Sequence, residues 1–159
     1  DVERSRGLGD VYKRQLFASQ YRSYETLDNE MKDKLKNLKA VFSADGPISK
    51  TRKNRVDEKG TGIDPKSLSA IHPIIKENER NKKKSLYLSP GHAIKICDLD
   101  DQESKNLMQK LIDHQTKDEF IYGFEWEPNC LALWSNYAVL HNPVNDFNIH
   151  RVMHRITIQ

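Results

Sequence analysis

The chain has 159 residues, with 26 Lys and Arg against 23 Asp and Glu, a formal net charge of +3. That length suits one domain, and the near balance of charge excludes the strongly basic surface of a nucleic-acid arm. Hydrophobic residues at 36% and charged residues at 31% describe a globular chain with a solvated surface rather than a disordered tail, and no apolar run approaches the roughly 20 residues that a membrane helix needs.

The first residues, Asp1 to Arg6, hold no apolar signal core, and the two cysteines, Cys97 and Cys130, are too few for a disulfide framework. A reducing cytoplasm is therefore the expected compartment. Residues 1–15, ending Gly7-Leu8-Gly9-Asp10-Val11-Tyr12-Lys13-Arg14-Gln15, show neither helical nor strand periodicity and resemble a translated adapter sequence. They are expected to be a non-native leader, with an ordinary frayed terminus as the alternative. The domain is then expected over 16–159.

From Thr26 the pattern is helical. Leu27, Met31, Leu35 and Leu38 recur on one face, charged residues fill the other, and Thr26 is the expected N-cap. Residues 43–67 hold Gly46, Pro47, Gly60, Gly62 and Pro65 among many charges and read as a long loop, the kind that serves as a lid or binding loop or stays disordered. Ala70 to Ile75 and Ser85 to Leu88 read as short strands of a hairpin, with Lys82, Lys83 and Lys84 on its solvated turn. A second helix is expected over Asp101–Gln115, with Leu107, Met108, Leu111 and Ile112 facing inward and His114 serving its C-terminus. Strands then follow at Phe120–Trp126, Leu131–Trp134, Val139–His141 and Arg151–Ile158, with Trp126 and Trp134 in the core. The fold class is mainly β with flanking helices.

The six histidines are His72, His92, His114, His141, His150 and His154. None is followed two residues later by Asp or Glu; His150 and His154 are four apart, but Arg151 stands where a His-Glu-x-x-His centre needs Glu, and the two cysteines are too far apart for a zinc finger. No local signature marks a Ser or Cys nucleophile. If Arg151–Ile158 is a strand, Arg151 and Arg155 share one face about 13 Å apart, far enough to hold two anions or two ends of one cavity. Arginine suits that work because its planar fork grips carboxylates and keeps its charge. A solvated pair of surface arginines is the alternative. His154 lies on the opposite face in a structural role, and His150 stands where the strand begins.

Trp126-Glu127-Pro128-Asn129, Leu133-Trp134-Ser135-Asn136, His141 and Arg151-Val152-Met153-His154-Arg155, with Ile71-His72-Pro73 and Lys84 to Leu88 in support, closely resemble the C-terminal half of the taurine dioxygenase and dichlorophenoxyacetate dioxygenase family. The resemblance runs from about Leu16 to Gln159. It implies a partial double-stranded β-helix, a cupin-like jelly roll, in which iron is held by two His and one carboxylate. It also implies Fe(II) as metal, 2-oxoglutarate as co-substrate, O2 and a small acidic organic substrate. The chemistry would be oxygen activation at iron, decarboxylation of 2-oxoglutarate to succinate, and hydroxylation of the substrate. By the same resemblance His141 is the distal iron ligand, Arg151 pairs with the far carboxylate of 2-oxoglutarate, Arg155 grips the acidic group of the substrate, and His92 lines the substrate pocket.

The chain departs from the family pattern at several places. It has no His-x-Asp or His-x-Glu, a motif expected to fall before Asp1. Gln15 stands where the family has a threonine that bonds 2-oxoglutarate, Ser135 and Cys130 replace acidic residues, and the spacing from His141 to Arg151 is about one residue tight. The expectation is a dioxygenase fragment that does not turn over alone, with no nucleic-acid or membrane partner and with self-association left open. A non-catalytic anion-binding module and a structural fragment are the alternatives.

Overall fold

The computed structural model describes residues 14–44, 46, 68–144 and 156–157. Among them lie β1 (Arg14–Ser19), α1 (Gln20–Glu25), α2 (Asn29–Leu35), β2 (Lys39–Ser43), β3 (Ser69–Pro73), β4 (Ile75–Glu77), β5 (Lys84–Leu86), β6 (Ala93–Ile96), α3 (Asp101–Gln115), a 3-10 turn (Asp118–Phe120), β7 (Ile121–Glu125) and β8 (Val139–Pro143). Arg14 and Gln15, the last residues of the segment set aside above, begin β1. The strand expected at Arg151–Ile158 and most of the loop expected at 43–67 lie outside the described residues.

Two antiparallel sheets organise the chain: β7-β1-β8, and β3-β2-β6, with β4 and β5 as a separate hairpin. The strand expected at Ala70–Ile75 is divided: residues up to Pro73 form β3 and pair with β2, while the hairpin pairs Ile75 with Leu86 and Glu77 with Lys84, so Lys76, Glu77 and Lys84, expected in the turn, lie in its strands. Strand β2 was not legible as a strand. Ala40, Val41 and Phe42 are too few to show alternation, and β2 exists because β3 and β6, both distant in sequence, pair with its two edges.

The core is built from helices on the β3-β2-β6 sheet: Leu27, Met31 and Leu35, then Ala40, Ile74, Leu86, Leu88, Ala93 and Ile96, closed by Leu107 and Leu111 of α3. Helix α3 runs over the residues its periodicity predicts, and Asp100 caps it, accepting from the Glu103 amide at 2.8 Å.

Three expectations are corrected. Thr26 is not an N-cap: it ends α1, its hydroxyl donating back to Arg22 O at 2.9 Å. Asp28 caps α2 instead, accepting from the Met31 amide at 2.6 Å, because its carboxylate suits the positive end of a helix. Leu131–Trp134 is not a strand, and Leu131 and Leu133 are 83% and 80% exposed. Among the described residues the segment pairs with neither β7 nor β8, the outer strands of that sheet. Trp126 and Trp134 are half-buried rather than core. His114 also acts further afield than its own helix, with Nε2 2.8 Å from the Ser23 carbonyl at the end of α1.

Candidate functional site

Register and period-two alternation place Gln15, Phe17 and Ser19 of β1 on one face of their sheet with Tyr122 and Phe124 of β7 and with Val139 and His141 of β8. Phe17 and His141 are direct partners across the β1–β8 ladder. His141 is half-buried in an aromatic wall: the Trp134 ring lies 5.2 Å from its imidazole, and Phe17 lies 5.2 Å from Trp134 and 6.4 Å from Phe124. Trp134 is steadied by Asn136, whose Oδ1 accepts from the indole Nε1 at 3.0 Å. Gln15 brings a carboxamide to the same place, its Nε2 3.5 Å from His141 Nδ1. The exposed stretch from Leu131 to Leu133 thus ends on a residue packed beside His141.

Among the described residues no group of three His, Cys, Asp or Glu side chains converges on a point that could hold a metal. The fit to iron is that of one imidazole set in an apolar wall, with a polar neighbour at its other ring nitrogen. Arg151 and Arg155, and with them His150 and His154, lie outside the described residues.

His92 stands just before β6, in the other sheet. Its Nδ1 lies 3.0 Å from Ser89 Oγ, and its carbonyl accepts from the Ser43 amide at 2.8 Å. Gly46 makes this closeness possible: a Cβ there would meet Gly91 O at 2.8 Å and His92 Cα at 3.0 Å, both backbone atoms. The turn that carries His92 is therefore seated directly on the end of β2.

One group has no sequence signal. Phe42, His72, Tyr87 and Tyr137 form a continuous aromatic run, with centroid separations of 5.5 to 6.1 Å. The Lys76 ammonium lies 4.0 Å from the Tyr137 ring centroid and 4.9 Å from that of Tyr87. Burial pushes the Tyr87 phenol above its ordinary value, and Tyr137 beside it adds to the shift. The single Ser85 Oγ–H lies within reach of both Lys76 O and Tyr137 O, at 3.1 and 3.2 Å, and is shared between them, so the hairpin is tied to the turn that leads into β8. These residues come from separate strands and turns, and only their spacing in the fold reveals them.

The described geometry is an antiparallel β architecture with one imidazole in an aromatic wall, and comparison with known proteins gives the class. The model of the taurine catabolism dioxygenase TauD, TfdA family matches residues 14–157, and the chain belongs to that family of 2-oxoglutarate-dependent dioxygenases. An alpha-ketoglutarate-dependent sulfonate dioxygenase of Saccharomyces cerevisiae is 31% identical over 99% of this chain and 37% of its own length. An (S)-phenoxypropionate/alpha-ketoglutarate-dioxygenase of Sphingobium herbicidovorans is 30% identical over 79% of this chain and 44% of its own. In fold the chain is similar to a taurine dioxygenase from Burkholderia xenovorans, with a TM-score of 0.69, 23% identity, and coverage of 86% of this chain and 42% of the other. The chain thus spans less than half the length of these relatives. No helix among the described residues is long and apolar enough to cross a membrane.

Proposed function

We propose that this chain is the C-terminal portion of a jelly-roll, non-haem Fe(II)- and 2-oxoglutarate-dependent dioxygenase that hydroxylates a small acidic substrate: a sulfonate, sulfate or carboxylate. The observation that carries the reading is the placement of His141, on the same sheet face as Gln15 and Phe17 and beside Trp134, within a chain that matches the family from residue 14 to 157. The printed activities of its sulfonate and phenoxypropionate relatives favour an acidic organic substrate.

In this reading His141 supplies one imidazole to iron. Arg151 neutralises the far carboxylate of 2-oxoglutarate, Arg155 holds the acidic group of the substrate, and His92 lines the pocket on the side of the second sheet. Bound iron would activate O2 for the coupled decarboxylation and hydroxylation. The protein's own part is to present a neutral ring nitrogen, to fix two anions by charge, and to line the site with aromatic surface that keeps water out. Residues 1–15 are proposed as a leader whose last two residues complete β1, and 16–159 as the jelly-roll portion.

One imidazole in place of three ligands cannot sustain turnover. Supplied with Fe(II), 2-oxoglutarate and an alkyl sulfonate or aryloxy-carboxylate, the isolated chain is expected to show no substrate-dependent oxygen uptake. Joined to an upstream segment carrying His-x-Asp or His-x-Glu, it is expected to gain uptake, and His141→Ala is expected to abolish it. In that longer protein Arg151→Ala should weaken 2-oxoglutarate binding and Arg155→Ala substrate binding. Tight iron binding and oxygen uptake by the isolated chain, or full activity of the longer His141→Ala protein, would overturn the reading. Anion binding by the longer protein without iron would favour a binding module instead.

A further inference from the structure

His92 is half-buried, yet the turn that presents it is gripped from β2, from α3 and from within. We propose that Ser89 and Gly46 are positioning residues that hold the His92 imidazole in one orientation, making it a rigid wall against which the shape of the acidic substrate is read. The inference rests on the reading of His92 as a residue of the substrate pocket.

Residues Ser89, Pro90, Gly91 and His92 close a β-turn in which the Ser89 carbonyl accepts from the His92 amide at 3.1 Å and from the Ala93 amide at 2.9 Å. Ser89 also reaches the ring, with Oγ 3.0 Å from His92 Nδ1. A hydroxyl rotates to donate or to accept, so this contact holds the ring whichever nitrogen carries the proton, and also when both do.

The backbone beneath the ring has little room to move. Leu88 and Ala93, on either side of the turn, are each 1% exposed, and the fully buried Gln115 at the end of α3 donates to the Leu88 carbonyl at 2.6 Å. On the other side Gly46 lies so close that a Cβ would press on Gly91 O and His92 Cα, backbone atoms of a turn already tied to the core. An imidazole on an ordinary exposed turn exchanges rotamers freely and adapts to ligands of many shapes. A fixed one clashes with ligands that do not fit, and the resulting difference in affinity is specificity.

Three-bond carbon–nitrogen couplings of His92 in the isotope-labelled chain read its χ1 rotamer directly. The unaltered chain and Ser89→Thr, which keeps the hydroxyl, are expected to show one rotamer, and Ser89→Ala an average over several. Gly46→Ala is expected to displace the amide signals of Gly91 and His92. Melting temperatures identify the variants that keep the fold, and Ser89→Ala carries the test if Gly46→Ala does not fold. Couplings that stay unaveraged in folded Ser89→Ala would overturn the proposal.

A specificity measurement separates a positioning role from plain support of the turn. In the longer protein, Ser89→Ala is expected to change the ratio of kcat/KM for butanesulfonate to that for phenoxyacetate by about two- to tenfold, the worth of one neutral hydrogen bond. The KM for 2-oxoglutarate is expected to stay unchanged, and Ser89→Thr to restore the ratio. If His92→Ala shifts the ratio and Ser89→Ala does not, the inference fails and the pocket reading stands. If the couplings follow residue 89 while His92→Ala leaves both substrates unaffected, the pocket reading fails and Ser89 keeps only its hold on the ring.

Discussion

Tyr87 shows how a single side chain acquires properties that its position in the chain does not announce. Its phenol is raised by burial and then by Tyr137, so the folded state holds the proton more firmly than the unfolded chain does. The sign follows from linkage. The stabilisation is complete below the ordinary tyrosine value of 10.0 and is lost as pH climbs through the higher folded-state value. Urea midpoints should therefore fall between about pH 8 and about pH 11, and Tyr87→Phe should show a shallower fall, since the residue that must ionise is gone. An identical alkaline slope in the variant would mean that other groups carry the decline. His141 illustrates the opposite case: its place in a local pattern made it a legible candidate, whereas its neighbour Gln15 lay far beyond any local window.

At the scale of elements, legibility followed length and local periodicity. Helix α3, of 15 residues, sets Leu107, Met108, Leu111 and Ile112 on one face and carries its own cap at Asp100, so it could be read from the chain. Strands β2 and β6, of five and four residues, carry almost no pattern of their own and depend on partners distant in sequence. The stretch Leu131–Trp134 misled for a related reason: a short apolar run marks a strand only where another strand pairs with it. Two substitutions separate these cases. Leu111→Ala, at a position 1% exposed on α3, is expected to cost about 2–5 kcal/mol by thermal or urea unfolding. Leu133→Ser in the chain as it stands is expected to change stability by no more than about 0.5 kcal/mol, as suits an 80% exposed position. A loss of core magnitude at Leu133 would show that the segment is buried in solution.

At the scale of the whole molecule, Ser85 joins the hairpin to the turn that leads into β8 and His141. Ser85 is 3% exposed, and its hydroxyl proton is shared between Lys76 O and Tyr137 O. Ser85→Ala leaves those carbonyls without this donor and is expected to lower stability by about 1–3 kcal/mol, with nuclear magnetic resonance shifts spreading from Tyr137 into β8. Shifts confined to the hairpin would show that the two parts are not coupled. By itself the sequence determined the family, the mainly β composition, helix α3, the β5 side of a hairpin and His141 as a candidate, because each is written in a contiguous pattern of residue types. Only the tertiary structure decided that Asp28 caps α2, that β2 is a central strand, that Trp134 packs beside His141, and that Phe42, His72, Tyr87 and Tyr137 form one aromatic run with Lys76 against it. Most of these depend on pairing between segments far apart in the chain, and the choice of cap on which of two nearby residues is already committed to the preceding helix.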